Sequence, residues 1–305
     1  MQQNSKAPVV LALGYFDSVH TGHRQVIGEA SALAKQLHAR LVVFTFSGNL
    51  RGALSGEDDK CIYTLSEREK IFDDLGVDEL FVKPASAKFL SMGKLAFLNL
   101  LNKNYNVLSY VCGEDYRFGK GGAGDVEYLK RYAARHSQTV SVKKLVKVCG
   151  QKASTTAVKA LLKEGKIKKA NEMLGRPYSV SGVVFEDRKV GSKMGFPTVN
   201  IGLQEDKFRI KDGVYAGHIY LNVNLEKPSL VRYRALINYG ARPTFNLHGK
   251  LVEAHIVDYD GDLYGKEITI YFDSFARDII KFDSAEALQN QLNCDLSKIK
   301  DGFYD

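Results

Sequence analysis

Two histidines three positions apart around a glycine mark the segment Gly14-Tyr15-Phe16-Asp17-Ser18-Val19-His20-Thr21-Gly22-His23. Imidazole N–H groups in such a place can donate to triphosphate oxygens as negative charge builds during attack on the α-phosphorus. A helix cap or a surface location is the other reading of the pair, and spacing alone leaves it open. A second pattern, Gly191-Ser192-Lys193-Met194-Gly195-Phe196-Pro197-Thr198-Val199-Asn200-Ile201, joins flexible glycines to a basic side chain and sets a hydroxyl two residues before an amide. Such a loop can wrap phosphates. On an extended segment Thr198 and Asn200 point the same way and bring two oxygens to Mg²⁺, an ion that prefers oxygen ligands and retains water. A plain turn at Pro197-Thr198 is the competing reading.

The elements that must position these residues follow from periodicity. Val26, Ile27, Ala30, Leu33, Ala34 and Leu37 recur at spacings of three and four directly after the histidine pair, which predicts a helix lying on a sheet. Up to about Val148 the apolar runs VVLALGYF, RLVVFTF, ELFVK and VLSYVCG alternate with helical periods, the grammar of parallel strands joined by crossovers. The histidines thus sit where a first parallel strand turns into a helix, the usual place for a nucleotide phosphate. A capping box at Ser66 and Glu69 starts a further helix that should stop before Gly76. STTAVKALLKEG and KIKKANEMLG predict two short helices, each ended by a glycine.

After Leu174 the grammar changes to SVSGVVF, GVYAGHIYLNV, SLVRYRALINYG, KLVEAHIVDY and KEITIYF, strand-like runs with no helix between them. These predict antiparallel pairing into a barrel, with a hairpin at the DLYG turn after Asp258-Tyr259-Asp260-Gly261, where Gly261 is able to take a positive φ. A last helical pattern runs from Ser284 to Lys300. The expected organisation is an α/β, Rossmann-like parallel-sheet domain over 1–174 and an antiparallel β-barrel domain with a C-terminal helix over 175–305.

Composition narrows the classes of function. With 305 residues, 45% hydrophobic and 26% charged, the chain is globular and long enough for two cores. The apolar run Val9–Leu13 is far shorter than a membrane span or the core of a signal peptide, so no membrane partner is expected. Four cysteines without a paired spacing argue against a disulfide framework or a zinc site and fit a reducing cytoplasm. A net charge of +8 favours an anionic partner without choosing between nucleic acid and nucleotide. The lysines at 163, 166, 168 and 169 are the one support for a nucleic-acid-binding regulator, and no helix-turn-helix, zinc finger or RNA-binding signature accompanies them.

The first segment resembles the G-x-F-D-G-x-H-x-G-H signature of the nucleotidyltransferases, and most closely the bacterial bifunctional riboflavin kinase/FMN adenylyltransferase (FAD synthetase) family. Asp73-Asp74-Leu75-Gly76-Val77-Asp78 is similar to that family's L-G-V-D, and Cys112-Gly113-Glu114-Asp115-Tyr116-Arg117-Phe118-Gly119 to its G-x-D-F-x-F-G loop. Lys152-Ala153-Ser154-Thr155-Thr156-Ala157-Val158-Lys159 stands in the place of I-S-S-T-x-I-R. In the second half, Gly195-Phe196-Pro197-Thr198-Val199-Asn200 is similar to the family's G-F-P-T-A-N. Asp212-Gly213-Val214-Tyr215-Ala216, the run Asn238 to Phe245, Val252-Glu253-Ala254-His255 and Asp258 to Lys266 follow in the family's order. The sequence departs from the pattern at Ser18, at Ser47 to Leu50, at Lys159 and at Ile279.

The resemblance implies two reactions: phosphorylation of riboflavin to FMN by ATP with Mg²⁺, and transfer of AMP from ATP to FMN to give FAD and pyrophosphate. It assigns His20 and His23 to the adenylyl-transfer transition state and Glu253 as base for the ribityl hydroxyl. It also implies that Gly14, Phe16, Asp17, Gly22, Asp115, Phe118, Gly119, Ser154, Thr155, Thr156 and Lys159 bind nucleotide or flavin in the first domain. Gly191, Gly195, Pro197, Asn238 and Arg242 do so in the second, with Thr198 and Asn200 on the metal. Read without the family, Glu253 is an outer-face strand residue and His255 a barrel or surface histidine. The partners implied are the small molecules ATP, riboflavin and FMN, with no nucleic acid and with a homo-oligomer left open. One retained activity, the kinase, is the second reading of the whole chain, and a non-catalytic flavin sensor the third.

Overall fold

A β-strand from Pro8 to Leu13 (β1), buried on both faces, lies at the centre of the first half of the chain. The computed structural model describes residues 6–48, 50–55, 59–186, 195–222, 229–240 and 251–302. Two compact units emerge, Met1–Ala157 and Val158–Asp305. In the first, β1 is followed by α1 (Thr21–Gln36), β2 (Arg40–Ser47), α2 (Leu50–Ser55), α3 (Leu65–Asp74), β3 (Glu79–Pro84), α4 (Ala87–Leu90), α5 (Lys94–Asn104) and β4 (Asn106–Gly113). Then come α6 (Val126–Ala134), β5 (Thr139–Lys143), a small antiparallel pair β6 (Lys147–Val148) and β7 (Gln151–Lys152), and α7 (Thr155–Lys163), which crosses the division.

The parallel sheet has the order β3-β2-β1-β4-β5. Chain direction across the sheet reverses at β1, so the connections after β1 and β4 diverge and leave a crevice at the carboxyl ends of these two strands. Val26, Ile27, Ala30 and Ala34 bury the inward stripe of α1, while Leu37 lies beyond the helix end and is exposed. Val9, Leu11, Leu13, Phe44, Phe97, Leu101, Tyr110 and Leu129 belong to the main core.

The second unit continues with α8 (Ile167–Leu174), β8 (Tyr178–Phe185), β9 (Thr198–Gly202), β10 (Gly213–Asn222), β11 (Leu230–Gly240), β12 (Leu251–Ile256), β13 (Glu267–Arg277) and α9 (Ala285–Lys300). Six strands close into a barrel in the order β10-β11-β12-β9-β8-β13, every pair antiparallel. Tyr215, Ile219, Ile237, Tyr239, Val252, Ala254, Ile270 and Phe272 alternate inward and are fully buried. On the outside, Leu296 and Ile299 of α9 pack with Val214, Ala216, Leu236 and Val257. Each such aliphatic side chain contributes about 1.5–3 kcal/mol when fully buried.

Three local expectations change. The capping box forms two residues earlier, with Thr64 and Glu67 exchanging side-chain-to-backbone hydrogen bonds, and the helix still ends at Asp74 before Gly76 at φ 71°. The earlier start buries Arg68, whose guanidinium donates to Tyr15 O, Phe46 O and Thr45 Oγ1, partners no local pattern reveals. DLYG does not close a hairpin, because β12 pairs with β11 and β9 while β13 pairs with β10 and β8. Positive φ falls on Asp258 and Gly265; a Cβ at Gly261 would meet the Tyr259 hydroxyl at 2.4 Å, so a side chain there would displace that ring. In the loop from Gly113 to Gly124, Phe118 and Gly124 are buried while Glu114, Asp115, Arg117 and Lys120 are exposed. Gly119 holds φ 74° with only 2.7 Å from a built Cβ to the Lys94 backbone.

Two candidate active sites

The first cavity, of about 830 Å³, opens at the carboxyl ends of β1 and β4. Gly14, Phe16, His20, Gly22, His23, Asp115, Phe118, Gly119, Ser154 and Thr155 all line it. His20 caps α1: its Nδ1 accepts the His23 backbone N–H at 3.3 Å. That bond leaves the proton of the neutral ring on Nε2. The two imidazoles stack with centroids 3.7 Å apart and planes 15° from parallel, and Phe16 meets His23 edge-on at 5.2 Å. A side chain at Gly22 would press on His20, its Cβ falling 3.1 Å from Cε1.

Burial pushes the His20 pKa down to about 4, with Lys152 adding to the shift and both a hydrogen bond of its own backbone and Asp115 opposing it. His23 is held well below the ordinary range by burial first, then by His20 and Arg68. Both rings are therefore neutral donors at neutral pH, and positive charge in the cavity comes from the lining residues Arg117, Lys143, Lys144 and Lys152. Lys152 Nζ lies 2.8 Å from Asp115 Oδ2. The histidine turn is strained, with Phe16 at φ 52° and β-branched Val19 at φ 42°. Asp17 ties it down by accepting the Ile62 N–H, and the Ser18 hydroxyl pairs with Thr155 Oγ1 at 3.0 Å. Asp17 thus anchors the turn and does not line the cavity. Thr156 does not line it either, and Lys159 belongs to the second unit, where its ammonium lies 5.3 Å from the Phe208 ring centroid.

Sequence reasoning missed Arg68, Lys152 and the lysine pair at 143 and 144. It also missed the apolar end of the cavity, where Phe44, Phe46, Phe89, Met92 and Phe97 converge. Clustered lysines were the only signal for the cations. The aromatic set comes from three separate elements and has none.

A second cavity, of about 350 Å³, lies on the outer face of the barrel under α9. Register places Asn238, Glu253 and Asn200 side by side across β11, β12 and β9, with Thr198 opposite His255. The Thr198 hydroxyl donates to Glu253 Oε1 at 2.9 Å. Strand alternation does put Glu253 outside, yet it faces the cavity together with Thr198, Asn238 and His255. Leu288, Leu292 and Leu296, one stripe of α9, form the opposite wall with Ile279, Ile280 and Phe282. Arg277 clamps that helix through Nε and NH2 bonds of 2.9 and 2.7 Å to Asp295, a residue only 1% exposed, and Gln291 donates to the other carboxylate oxygen.

Asn200 is buried, its Oδ1 has no hydrogen-bond partner among the described residues, and Thr198 keeps lone pairs on an oxygen whose proton is directed to Glu253. Two neutral oxygens two residues apart on one face are donors of the kind Mg²⁺ takes; Thr198 lines the cavity and Asn200 does not. Among the described residues no group of three or more His, Cys, Asp or Glu could hold a metal. Gly195 sits at φ 84° and the Pro197 carbonyl accepts from His255, whereas Gly191 and Arg242 fall outside the described residues.

A parallel sheet with a capped histidine pair at its switch point, followed by a closed barrel carrying a hydroxyl–carboxylate pair, defines a two-module nucleotide-using enzyme. The family model for FAD synthetase matches residues 2–157, and that for riboflavin kinase residues 174–303. A bifunctional riboflavin kinase/FMN adenylyltransferase of Listeria monocytogenes is 33% identical over 289 residues, 94% of this chain and 90% of that protein. Its Bacillus subtilis counterpart is 30% identical, covering 96% and 92%. The chain belongs to the bifunctional riboflavin kinase/FMN adenylyltransferase family. A crystal structure described as a macrolide-efflux protein from Streptococcus pneumoniae shares the fold, with a TM-score of 0.83 at 29% identity over 98% of this chain and 96% of that one. No described helix of the present chain is long and apolar enough to cross a membrane.

Proposed function

We propose that the barrel unit phosphorylates riboflavin to FMN with ATP and that the α/β unit transfers AMP from a second ATP to FMN, releasing pyrophosphate and forming FAD. The observation that carries this reading is that each unit has its own cavity with its own phosphate-competent polar set. In the first, an FMN phosphate oxygen attacks the α-phosphorus of ATP and the bond to pyrophosphate breaks. His20 Nε2–H and the His23 ring donate to the oxygens that gain charge, while Lys152 and its neighbouring lysines offset the polyphosphate. The helix start at Ser154 and Thr155 offers further donors.

In the second unit Glu253 accepts the proton of the ribityl 5'-hydroxyl as that oxygen attacks the γ-phosphorus, the bond from γ-phosphorus to the β–γ bridging oxygen breaks and ADP leaves. Thr198 and Asn200 would hold Mg²⁺, which when bound neutralises charge on the transferring phosphoryl group. Asn238, in register beside Glu253, orients the substrate, and the leucine stripe of α9 with Ile279 and Ile280 takes the flat ring system. The working division remains 1–174 for adenylyl transfer and 175–305 for the kinase, with residues 158–173 matched by neither family model. Four free thiols are in keeping with a reducing cytoplasm as the place of action.

A kinase-dominant variant of this reading is favoured by the departures at Ser18 and Lys159, since lysine keeps the charge but lacks the bidentate fork that arginine offers a phosphate. Incubating the purified chain with riboflavin or with FMN, plus ATP and Mg²⁺, and separating the flavins tests both steps. FAD from FMN supports the full reading; FMN from riboflavin without any FAD leaves the kinase alone.

A further inference from the structure

His255 lines the second cavity two positions from Glu253 on β12, opposite Thr198. Its Nδ1 lies 2.8 Å from the carbonyl oxygen of Pro197. A carbonyl only accepts, so the ring proton is on Nδ1 and the neutral ring keeps its lone pair on Nε2. Phe196 meets the same ring edge-on, centroids 5.8 Å apart. Phe196 and Pro197 lead directly into Thr198, the first residue of β9.

The β9–β12 ladder ends at the Thr198–His255 pair, and Pro197 has no N–H with which to extend it. Strand ends without ladder bonds open easily. The imidazole supplies the missing tie one residue beyond the ladder. We propose that His255 is a positioning residue for phosphoryl transfer. Its Nδ1–H holds the Pro197 peptide so that the Thr198 hydroxyl stays aimed at Glu253, and Nε2 exchanges no proton with substrate. This role rests on the kinase reading of the barrel.

Three substitutions in the full chain separate the atoms. The Asn side chain places an N–H donor where Nδ1 stands, Gln places one where Nε2 stands, and Ala places none. H255N should keep FMN formation within about fivefold of the parent. H255Q and H255A should lose about 30- to 100-fold in kcat, the scale of an ångström-sized misplacement, with KM for riboflavin within about threefold. FAD formation from added FMN serves as the internal control and should not change in any of the three. Because the barrel itself could be loosened, riboflavin binding read by quenching of flavin fluorescence accompanies each assay and should persist in all three variants.

Rescue by Gln but not Asn would make Nε2 the working atom and overturn the proposal. Equal loss in all three, a change confined to KM, or loss of riboflavin binding would overturn it too, as would no change at all. If the parent chain itself makes no FMN, the kinase reading fails instead, a separate outcome.

Discussion

The imidazoles of His20 and His23 lie face to face, 3.7 Å apart, with the Nδ1 of the first accepting the backbone N–H of the second. Helix capping and proposed chemistry thus share one side chain: the bond that starts α1 also selects the tautomer that carries its proton on Nε2.

H20N and H23N are expected to lower FAD formation from FMN by about 100- to 1,000-fold, the usual effect of removing one transition-state donor. FMN formation from riboflavin should stay at the parent level in both. Product separation after incubation with each flavin reads the two steps independently.

The same pair makes stability depend on pH. His20 has a folded pKa of about 4 against an ordinary 6.5, so the unfolded chain binds more protons between these values. The stabilisation from a neutral buried ring is fully present above pH 6.5 and is lost as pH falls toward 4, with His23 acting in the same direction. For His20 alone the difference is about 3 kcal/mol. Urea midpoints of the first unit should fall over this window in the parent and fall less in H20N.

Glu253 carries the matching expectation in the barrel. E253Q keeps the Thr198 partner in hydrogen-bonding form but removes the proton acceptor, and FMN formation should drop by about 100- to 10,000-fold. FAD formation from supplied FMN should not change.

Asp295 is the buried end of the clamp on α9. D295A leaves Arg277 without its main carboxylate partner and should destabilise the second unit by about 3–5 kcal/mol. D295N retains hydrogen bonds and is the gentler test: the leucine wall moves, KM for riboflavin rises several-fold and kcat changes little. Steady-state kinetics with riboflavin varied, beside thermal unfolding, check both.

Much of this architecture was legible in one dimension. Val9–Leu13 and the α1 stripe declared a sheet with a helix on it because burial repeats with the period of the backbone. Thr198 and Asn200 declared a shared face for the same reason, and His20 and His23 were marked by their setting between a strand and a helix. Gly119 was legible as part of a family-like loop; its need for space depended on Lys94, which comes from another element.

Pairings between distant positions were decided by the tertiary structure. Thr198 and Glu253 are 55 residues apart, and Arg68 reaches Tyr15 across 53. Periodicity states which face a side chain takes, and this chain's sequence determined that for Thr198, Asn200 and Glu253. It does not state which strand comes next in the sheet. Barrel closure through β9 beside β12, not the expected DLYG hairpin, set the Asn238–Glu253–Asn200 row, because strand order follows from burying all the inward faces at once.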